Sequence, residues 1–137
     1  MNKLPDRLVL EIVTPERQVI KAVVDEVVLP GTMGYLGILP GHTPLLTTLS
    51  IGTVTYRQKG KKFYLFLSEG FAEILPDRVI VLAEVVEKPE EIDVERAKLA
   101  KERAEKRLAD KGRETNVDRA MTSLKRAIAR IDVGIRH

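Results

Sequence analysis

The stretch Val85-Val-Glu-Lys-Pro-Glu-Glu-Ile-Asp-Val-Glu-Arg-Ala97 separates two parts of the chain that differ in hydrophobic periodicity. Before it, hydrophobic residues recur at every second position, and after it they recur at every third or fourth position. Since a period of two is typical of strands and a period near 3.6 of helices, the chain changes here from sheet to helix. Pro89 stands at the change, where its fixed φ and missing N–H end a strand. We therefore predict two domains, residues 1–87 and 88–137.

Composition limits the classes of protein to which the chain can belong. Its 137 residues suffice for a small domain with an appendage, and a hydrophobic content of 44% allows a real core. The absence of cysteine excludes disulfides and thiolate metal ligands and suits a reducing compartment. No apolar run reaches the roughly 18 residues of a membrane span, and the N-terminus lacks the apolar segment of a signal peptide. We expect a soluble protein that can still lie against a membrane complex.

The excess of positive charge lies in the second domain. Residues 1–87 carry 9 Lys/Arg and 10 Asp/Glu, a net charge of −1, and residues 88–137 carry 14 and 10, a net charge of +4. A basic excess suits nucleic acid, an anionic ligand or an acidic protein surface, although most such charges are simply solvated. Any anionic partner is therefore expected at the second domain.

The first domain contains a series of short segments that favour strands. They are predicted at Leu8–Thr14, Gln18–Val24, Glu26–Pro30, Leu45–Leu49, Gly52–Gln58, Lys62–Ser68, Gly70–Leu75 and Arg78–Val86. The stretch Gly31–Pro44 holds four glycines and two prolines, which indicates a tightly turned path. Phe63–Leu67 and Val79–Leu82 are apolar on both faces, so we expect them to be covered on two sides. Short strands at this spacing indicate a β-sandwich or a flattened barrel.

The second domain is predicted to be an antiparallel pair of helices. The first runs from its cap Asp93 to about Asp110, with Gly112 as the stop, and the second follows Thr115 or Asn116, either of which suits an N-cap. The facing seams are Ala97, Ala100, Ala104 and Leu108 on the first helix and Val117, Ala120, Met121, Leu124, Ala127, Ile128 and Ile131 on the second. Because alanine buries little apolar area, we expect a marginal hairpin that can detach from the sheet domain.

No arrangement of residues suited to catalysis is evident. The two histidines, His42 and His137, form neither a metal triad nor a Ser–His–acid set. The glycines at 31, 34 and 37 lack the spacing of a phosphate-binding or dinucleotide-binding loop. We therefore predict that the chain is not an enzyme. His42 follows Pro40-Gly41 and is either a turn-stabilising imidazole or a contact with a partner subunit.

Arginines of the two helices form candidate anion-binding pairs. Arg96 and Arg103 are seven residues apart on one helical face, and Arg126 and Arg130 are four apart on another, next to Lys125. Antiparallel packing could bring both pairs around a phosphate group, and simple solvation is the alternative. A nucleic-acid-binding module is a further alternative, although the helices lack aromatic residues and their ten acidic residues would repel a phosphate backbone.

Three motifs resemble signatures of the epsilon subunit of F-type ATP synthases. They are Gly37-Ile-Leu-Pro-Gly-His-Thr-Pro-Leu-Leu46, Ser68-Glu-Gly-Phe-Ala-Glu-Ile74 and Ile92-Asp-Val-Glu-Arg-Ala97, in the family's order and spacing. The resemblance implies a mainly β fold with α, in which an N-terminal ten-stranded β-sandwich precedes a C-terminal antiparallel two-helix hairpin. It also implies a non-catalytic rotor subunit in the central stalk of a proton-translocating ATP synthase.

The resemblance implies the partners and the location of the chain. The sandwich would bind the gamma subunit, with His42 at the contact, and would rest on the c-ring near Tyr35. The hairpin would move from a folded state to an extended state that reaches the alpha/beta head and inhibits ATP hydrolysis, where Arg119 and Lys125 would meet acidic segments. The chain would lie peripherally at the cytoplasmic face of the cell membrane, without a membrane span and without nucleic acid as a partner.

Two residues depart from the pattern of the resembled family. Many relatives have an acidic residue toward the c-ring where this chain has Tyr35, so a contact based on charge does not carry over. Glu69 stands at a position that is commonly glycine, so the turn before Gly70 is expected to differ locally.

Some bacterial members of the resembled family bind ATP in the folded hairpin through an Ile/Leu-Asp-x-x-Arg-Ala motif. Here that motif consists of Ile92, Asp93, Arg96 and Ala97, and the supporting positions match Glu87, Arg103, Arg126 and Arg130. The resemblance therefore implies ATP as a regulatory ligand between the helices. No residue pattern requires a metal or another cofactor.

Overall fold

The computed structural model describes residues 5–110 and 116–136. The strands found there are β1 (Leu8–Val13), β2 (Gln18–Val24), β3 (Glu26–Gly31), β4 (Gly34–Ile38), β5 (Leu45–Leu49), β6 (Gly52–Gln58), β7 (Lys61–Leu75) and β8 (Arg78–Glu87). A linker turn of 3-10 helix, Pro89–Glu91, leads to α1 (Val94–Ala109) and α2 (Val117–Gly134). The predicted order of a sandwich followed by two helices is confirmed. Gly112 and Thr115, predicted to flank the helices, lie outside the described residues.

The sheet is organised around the long strand β7. The strands follow the order β2-β1-β8-β7-β5-β3-β4, and β6 pairs with β3 and β7. The first half of β7 pairs with β6 up to Leu67, and its second half pairs with β5 from Gly70 onward, while β8 runs beside both halves. All pairs are antiparallel except β1 with β8. One continuous strand therefore serves two different sets of neighbours.

Alternate residues of the strands form the interior of the sandwich, as the period of two predicts. The core includes Leu8, Leu10, Ile12, Val27, Leu29, Ile38, Val54, Leu67, Ile74, Val79 and Val81, all with no exposed surface. In β1 the intervening residues are only partly buried. Burial of aliphatic side chains from every major strand therefore holds the sandwich together.

The strands differ from the sequence predictions in three places. Lys62–Ser68 and Gly70–Leu75 form one strand, and the glycine-rich stretch contains β4, so the described residues hold eight strands instead of the ten implied by the resemblance. Leu65, Phe66 and Leu67 are buried on both faces of β7, but Leu82 of β8 is 42% exposed. The prediction of cover on two sides is therefore wrong for β8, because α2 packs over β7 instead.

Glu69 occupies the position in β7 where the resembled family commonly has glycine. Its φ of 35° lies in the left-handed region, which glycine adopts without steric cost. Pairing with β8 continues on both sides of it, at Ser68 and at Gly70. The departure from the family pattern is therefore accommodated by a glutamate in a glycine-like conformation.

The hairpin contacts the sandwich through a small surface near the end of α2. Phe66 of β7 packs with Ala129 and Val133, and these three are the buried residues of this cluster. Beside them, Thr53 Oγ1 donates a hydrogen bond to Asp132 Oδ2 at 3.1 Å. Arg136 donates to the other oxygen of the same carboxylate at 3.1 Å, and its guanidinium lies over a tyrosine ring of β7. The docking surface is therefore narrow, with a polar rim.

The alanine contact between the two helices is confirmed, but the predicted seam of α2 is partly wrong. Ala97 and Ala104 of α1 and Ala120 and Ala127 of α2 are buried. Three seam residues are instead exposed: Val117 by 57%, Met121 by 40% and Ile128 by 48%. The reason is that α2 must face α1 with one stripe and β7 with another, and this second stripe consists of Ala129 and Val133.

Substitution of Gly134 by alanine is expected to weaken the packing of α2 against the start of α1. A Cβ at this position would lie 2.6 Å from Val94 Cγ2 and 3.1 Å from Ile92 Cγ2, so the end of α2 would be pushed off the start of α1. Overpacking against stiff β-branched side chains outweighs the gain in helix propensity, for a net cost of about 1–2 kcal/mol. Hydrogen exchange in α2 should accelerate while exchange in β7 stays unchanged.

The matched control for this prediction is Gly37→Ala. A Cβ at Gly37 meets no atom within 4 Å, so this variant should leave exchange in α2 unaffected. Equal exchange in the two variants would show that the close approach of Gly134 to α1 does not limit the packing of the two helices.

Candidate functional site

Side-chain caps begin both helices of the hairpin. Asp93 Oδ1 accepts a hydrogen bond from the backbone N–H of Arg96 at 3.0 Å, as predicted for the start of α1. Of the two candidate caps of α2, Asn116 is the one that forms, because its Oδ1 accepts from Arg119 N at 3.0 Å. Each cap satisfies an otherwise unpaired amide of the first turn. The caps thereby fix where the first cationic residues of each helix lie.

A cleft of about 440 Å³ opens between the linker turn, α1 and α2, and we call it the hairpin cleft. It is lined by Glu87, Glu91, Ile92, Asp93, Arg96, Ala97, Ala100, Arg103, Ser123, Arg126, Ala127 and Arg130. All eight residues predicted for the nucleotide site are among them. The volume lies within the range of small-ligand sites in proteins, roughly 300–1,000 Å³. The structure therefore brings the predicted residues together, and their binding of a nucleotide stays a prediction.

Four lining residues were missed by sequence reasoning, namely Glu91, Ala100, Ser123 and Ala127. Helical spacing could have found Ala100 and Ser123, since each lies three residues before an arginine of the predicted set. Glu91 had no such signal, because it belongs to the linker turn and not to a helix.

The arginines of the hairpin cleft fall into two groups. Arg130 donates from Nε to Glu87 Oε1 at 2.8 Å, and its guanidinium lies 4.5 Å from the centre of the Phe66 ring. Arg96, Arg103 and Arg126 take part in none of the ion pairs found among residues 5–110 and 116–136. Three guanidinium groups without a carboxylate partner in the described structure therefore converge on one cleft, which is suited to an anion.

Glu91 lines the rim of the hairpin cleft and is held from two directions. Its Oε1 accepts a hydrogen bond from the backbone N–H of Lys88 at 2.8 Å. Arg17, on the turn between β1 and β2, lies with its Nη2 at 3.0 and 2.7 Å from the two carboxylate oxygens. The Lys88 N–H, followed by the guanidinium of Arg17, lowers the pKa of Glu91.

The lowered pKa of Glu91 predicts the sign of its pH dependence. Because the folded-state pKa lies below the unfolded value, the stabilisation is fully present above the ordinary value of about 4.5 and is lost as the pH falls through the folded pKa. Titration of the Glu91 carboxyl signal by NMR should give a midpoint below that ordinary value. In Arg17→Ala the midpoint should rise but stay lowered, since the Lys88 N–H remains. A midpoint at the ordinary value in the wild type would contradict these contacts.

A larger cleft of about 1020 Å³ lies between α2 and the sandwich. It is lined on the sandwich side by Tyr35 and residues of β5 and β6, and on the α2 side by Lys125, Ile128 and Asp132. Its lining includes three carboxylates, of Glu69, Glu84 and Asp132, against one cation. The charges of the hairpin cleft therefore suit an anion better than those of this larger cleft.

Of the four residues predicted to contact partner subunits, Tyr35 and Lys125 line opposite sides of the larger cleft, whereas His42 and Arg119 lie outside it. Tyr35 is 62% exposed, and its hydroxyl oxygen accepts a hydrogen bond from Thr53 N at 3.2 Å. His42 Nδ1 lies 2.6 Å from the carbonyl oxygen of Thr43, a contact within its own loop. Arg119 and Lys125 are exposed on α2. Their contacts with partners stay predictions.

Two further features bear on the class of protein. Within residues 5–110 and 116–136, no group of three or more His, Asp or Glu side chains is arranged to hold a metal ion. Among the described helices, none combines the length and the apolar character needed to cross a membrane.

Comparison with known protein families matches both parts of the chain. Residues 7–89 match the family model described as ATP synthase, Delta/Epsilon chain, beta-sandwich domain. Residues 90–134 match the model described as ATP synthase, Delta/Epsilon chain, long alpha-helix domain. The two matches meet next to Pro89 and together span most of the chain.

Curated relatives and solved structures agree with the family match. The chain is 55% identical over 111 residues to the ATP synthase epsilon chain of Koribacter versatilis, covering 81% of this chain and 78% of that one. It is 52% identical over 122 residues to that of Desulforamulus reducens, covering 89% and 92%. Among solved structures, a chain of the Euglena gracilis mitochondrial ATP synthase has the same fold, with a TM-score of 0.85 at 20% identity, covering 98% of this chain and 85% of that one.

The two family matches and the relatives above 50% identity agree with the resemblance carried by the three sequence motifs. The chain therefore belongs to the ATP synthase delta/epsilon family, as an epsilon chain.

Proposed function

We propose that this epsilon chain is a non-catalytic regulatory subunit whose hairpin binds ATP when docked on the sandwich and inhibits ATP hydrolysis when extended. As an epsilon chain, it takes part in ATP synthesis and ion transport. The observation that carries the proposal is the convergence of Arg96, Arg103 and Arg126 in the hairpin cleft, which exists only while the two helices are folded against the linker turn. A ligand bound there stabilises the docked state by mass action.

The narrow docking surface supports movement of the hairpin. Among the described residues, the buried members of the cluster that joins it to the sandwich are Phe66, Ala129 and Val133, with only Ile51, Tyr64 and Ile92 packed around them. The other contacts are partly exposed hydrogen bonds, one ion pair and two cation–ring contacts. Extension exchanges these contacts for contacts with the gamma subunit and the alpha/beta head. Extension is favoured to the extent that the contacts with the gamma subunit and the alpha/beta head are stronger than those with the sandwich.

The exposed residues fit the partners that the proposal requires. The sandwich binds the gamma subunit and rests on the c-ring, with His42 and Tyr35 on its loop and strand facing these partners. The exposed cations Arg119 and Lys125 of α2 meet acidic segments of the alpha/beta head in the extended state. The chain thus lies at the cytoplasmic face of the membrane as a peripheral part of the complex.

Truncation after residue 87 tests inhibition by the hairpin. An ATP synthase assembled with residues 1–87 should retain the rotor but hydrolyse ATP several-fold faster than the enzyme with the full chain, because the inhibiting element is absent. The control is an enzyme assembled with Arg57→Ala, which breaks an ion pair within the sandwich and leaves the hairpin intact. Equal hydrolysis by the truncated and full-chain enzymes, with the truncated chain present in the complex, contradicts inhibition by the hairpin.

A further inference from the structure

We propose that Arg17, on the turn between β1 and β2, is a positioning residue of the hairpin cleft, where it neutralises Glu91 and holds the linker turn against the sandwich. The identity of the ligand, ATP, rests on the proposed function, whereas the hold on the linker does not. Arg17 does not line the cleft itself. It acts on the cleft through Glu91, from which it is 74 residues distant in sequence.

The turn that carries Arg17 is closed by hydrogen bonds. Thr14 N donates to Arg17 O at 2.9 Å, and Arg17 N lies 3.3 Å from Thr14 Oγ1. The Thr14 side chain is buried, with 8% of its surface exposed, and this burial anchors the turn at the end of β1. The backbone of Arg17 is therefore held by hydrogen bonds at the end of β1, so its guanidinium group reaches the linker from the sandwich.

The carboxylate of Glu91 joins Arg17 to the linker turn. Arg17 Nη2 bridges both oxygens of Glu91, at 3.0 and 2.7 Å, while the Lys88 N–H donates to Oε1 at 2.8 Å. The same turn is closed by Glu91 N donating to Lys88 O at 2.9 Å. The Glu91 side chain therefore closes the linker turn and ties it to the sandwich at the same time.

The charges of the hairpin cleft explain why Glu91 pairs with a cation that lies outside the lining of the cleft. The other two carboxylates of the lining are already engaged, since Glu87 pairs with Arg130 and Asp93 caps α1. Without Arg17, Glu91 would lie in the lining of a cleft suited to an anion with only the Lys88 N–H as its partner and without the cation that pairs with it. A like charge at this place repels phosphate, so Arg17 favours binding by removing the repulsion.

A double-mutant cycle on the full-length chain tests the proposal by calorimetric titration with ATP. Arg17→Ala should weaken ATP binding by roughly three- to fivefold, the effect of an exposed charge pair. In the Glu91→Gln background, which has no carboxylate left to neutralise, adding Arg17→Ala should cost less than about twofold in affinity. The matched control is Arg57→Ala, which breaks the exposed ion pair with Glu26 elsewhere on the sandwich and should leave affinity unchanged.

Hydrogen exchange without nucleotide tests the hold on the linker independently. The amides of Lys88, Glu91 and Ile92 are hydrogen-bonded in the linker turn and should exchange several-fold faster in Arg17→Ala than in Arg57→Ala. The proposal is overturned if the two variants exchange alike, or if Arg17→Ala costs as much affinity in the Glu91→Gln background as in the wild type. If the wild-type chain binds no ATP, the proposed nucleotide site fails, and linker exchange still decides whether Arg17 holds the turn.

Discussion

Replacing Arg96 and Arg126 together by alanine should weaken ATP binding by the isolated chain at least about 100-fold. Each guanidinium can supply charge-assisted hydrogen bonds to a phosphate, worth about 1.5–3 kcal/mol, and the loss of two therefore costs about 3 kcal/mol or more. Both residues line the hairpin cleft from different helices. Neither takes part in the ion pairs of the described structure, so their removal leaves no buried carboxylate unpaired.

The control for the arginine pair is Arg107→Ala/Arg119→Ala. It removes the same charge from the same two helices, at exposed positions outside the lining of the cleft. Calorimetry should find the affinity of this variant within about threefold of the wild type, because distant exposed charges are largely screened. Equal losses in both variants would show that net charge, and not the cleft, attracts the nucleotide.

Cross-linking α2 to β6 should abolish inhibition in the assembled enzyme. Thr53 and Asp132 join the two elements by a hydrogen bond of 3.1 Å, and the chain has no cysteine of its own. A Thr53→Cys/Asp132→Cys chain, joined by a short bifunctional thiol reagent before assembly, keeps the hairpin docked. The enzyme assembled with the cross-linked chain should hydrolyse ATP several-fold faster than the enzyme assembled with the same double-cysteine chain without the cross-link.

Two comparisons separate the effect of the cross-link from that of the substitutions. The single variants, treated with the reagent, should give enzymes that remain inhibited. The unjoined double variant should be inhibited at least as strongly as the wild type, because it has lost a hydrogen bond of the docked state. An enzyme that is equally inhibited with and without the cross-link would mean that the hairpin inhibits from its docked position.

Much of the fold could be predicted from the sequence, because its signals are local. The period of two from Leu8 onward and the change at Pro89 are visible in short windows of residues, as is the cap at Asp93. The seam of α2 was harder to predict because α2 has two buried stripes. Helical periodicity alone does not distinguish Ala127, which faces α1, from Val133, which faces β7.

The candidate site likewise combines local signals, which the sequence reveals, with contacts between residues that are distant in sequence. The motif at Ile92–Ala97 and the paired arginines are visible because helical spacing places them on one face. The contact of Arg17 with Glu91 and that of Glu87 with Arg130 join residues 74 and 43 positions apart, and only the tertiary structure brings them together. Sequence reasoning therefore found the groups that would touch an anion, and Glu87 beside them, but it missed the contact of Glu87 with Arg130 and missed Arg17 and Glu91 altogether.

The central claim is that the hairpin leaves the sandwich when it inhibits and that ATP keeps it docked. Spin labels at Glu73→Cys on β7 and Met121→Cys on α2, both exposed and outside the two clefts, can report the separation in the assembled enzyme. Electron–electron distance measurements should show two separations without ATP, with the short, docked one gaining population at saturating ATP. A single short separation under both conditions, in an enzyme whose hydrolysis is inhibited, would contradict the claim.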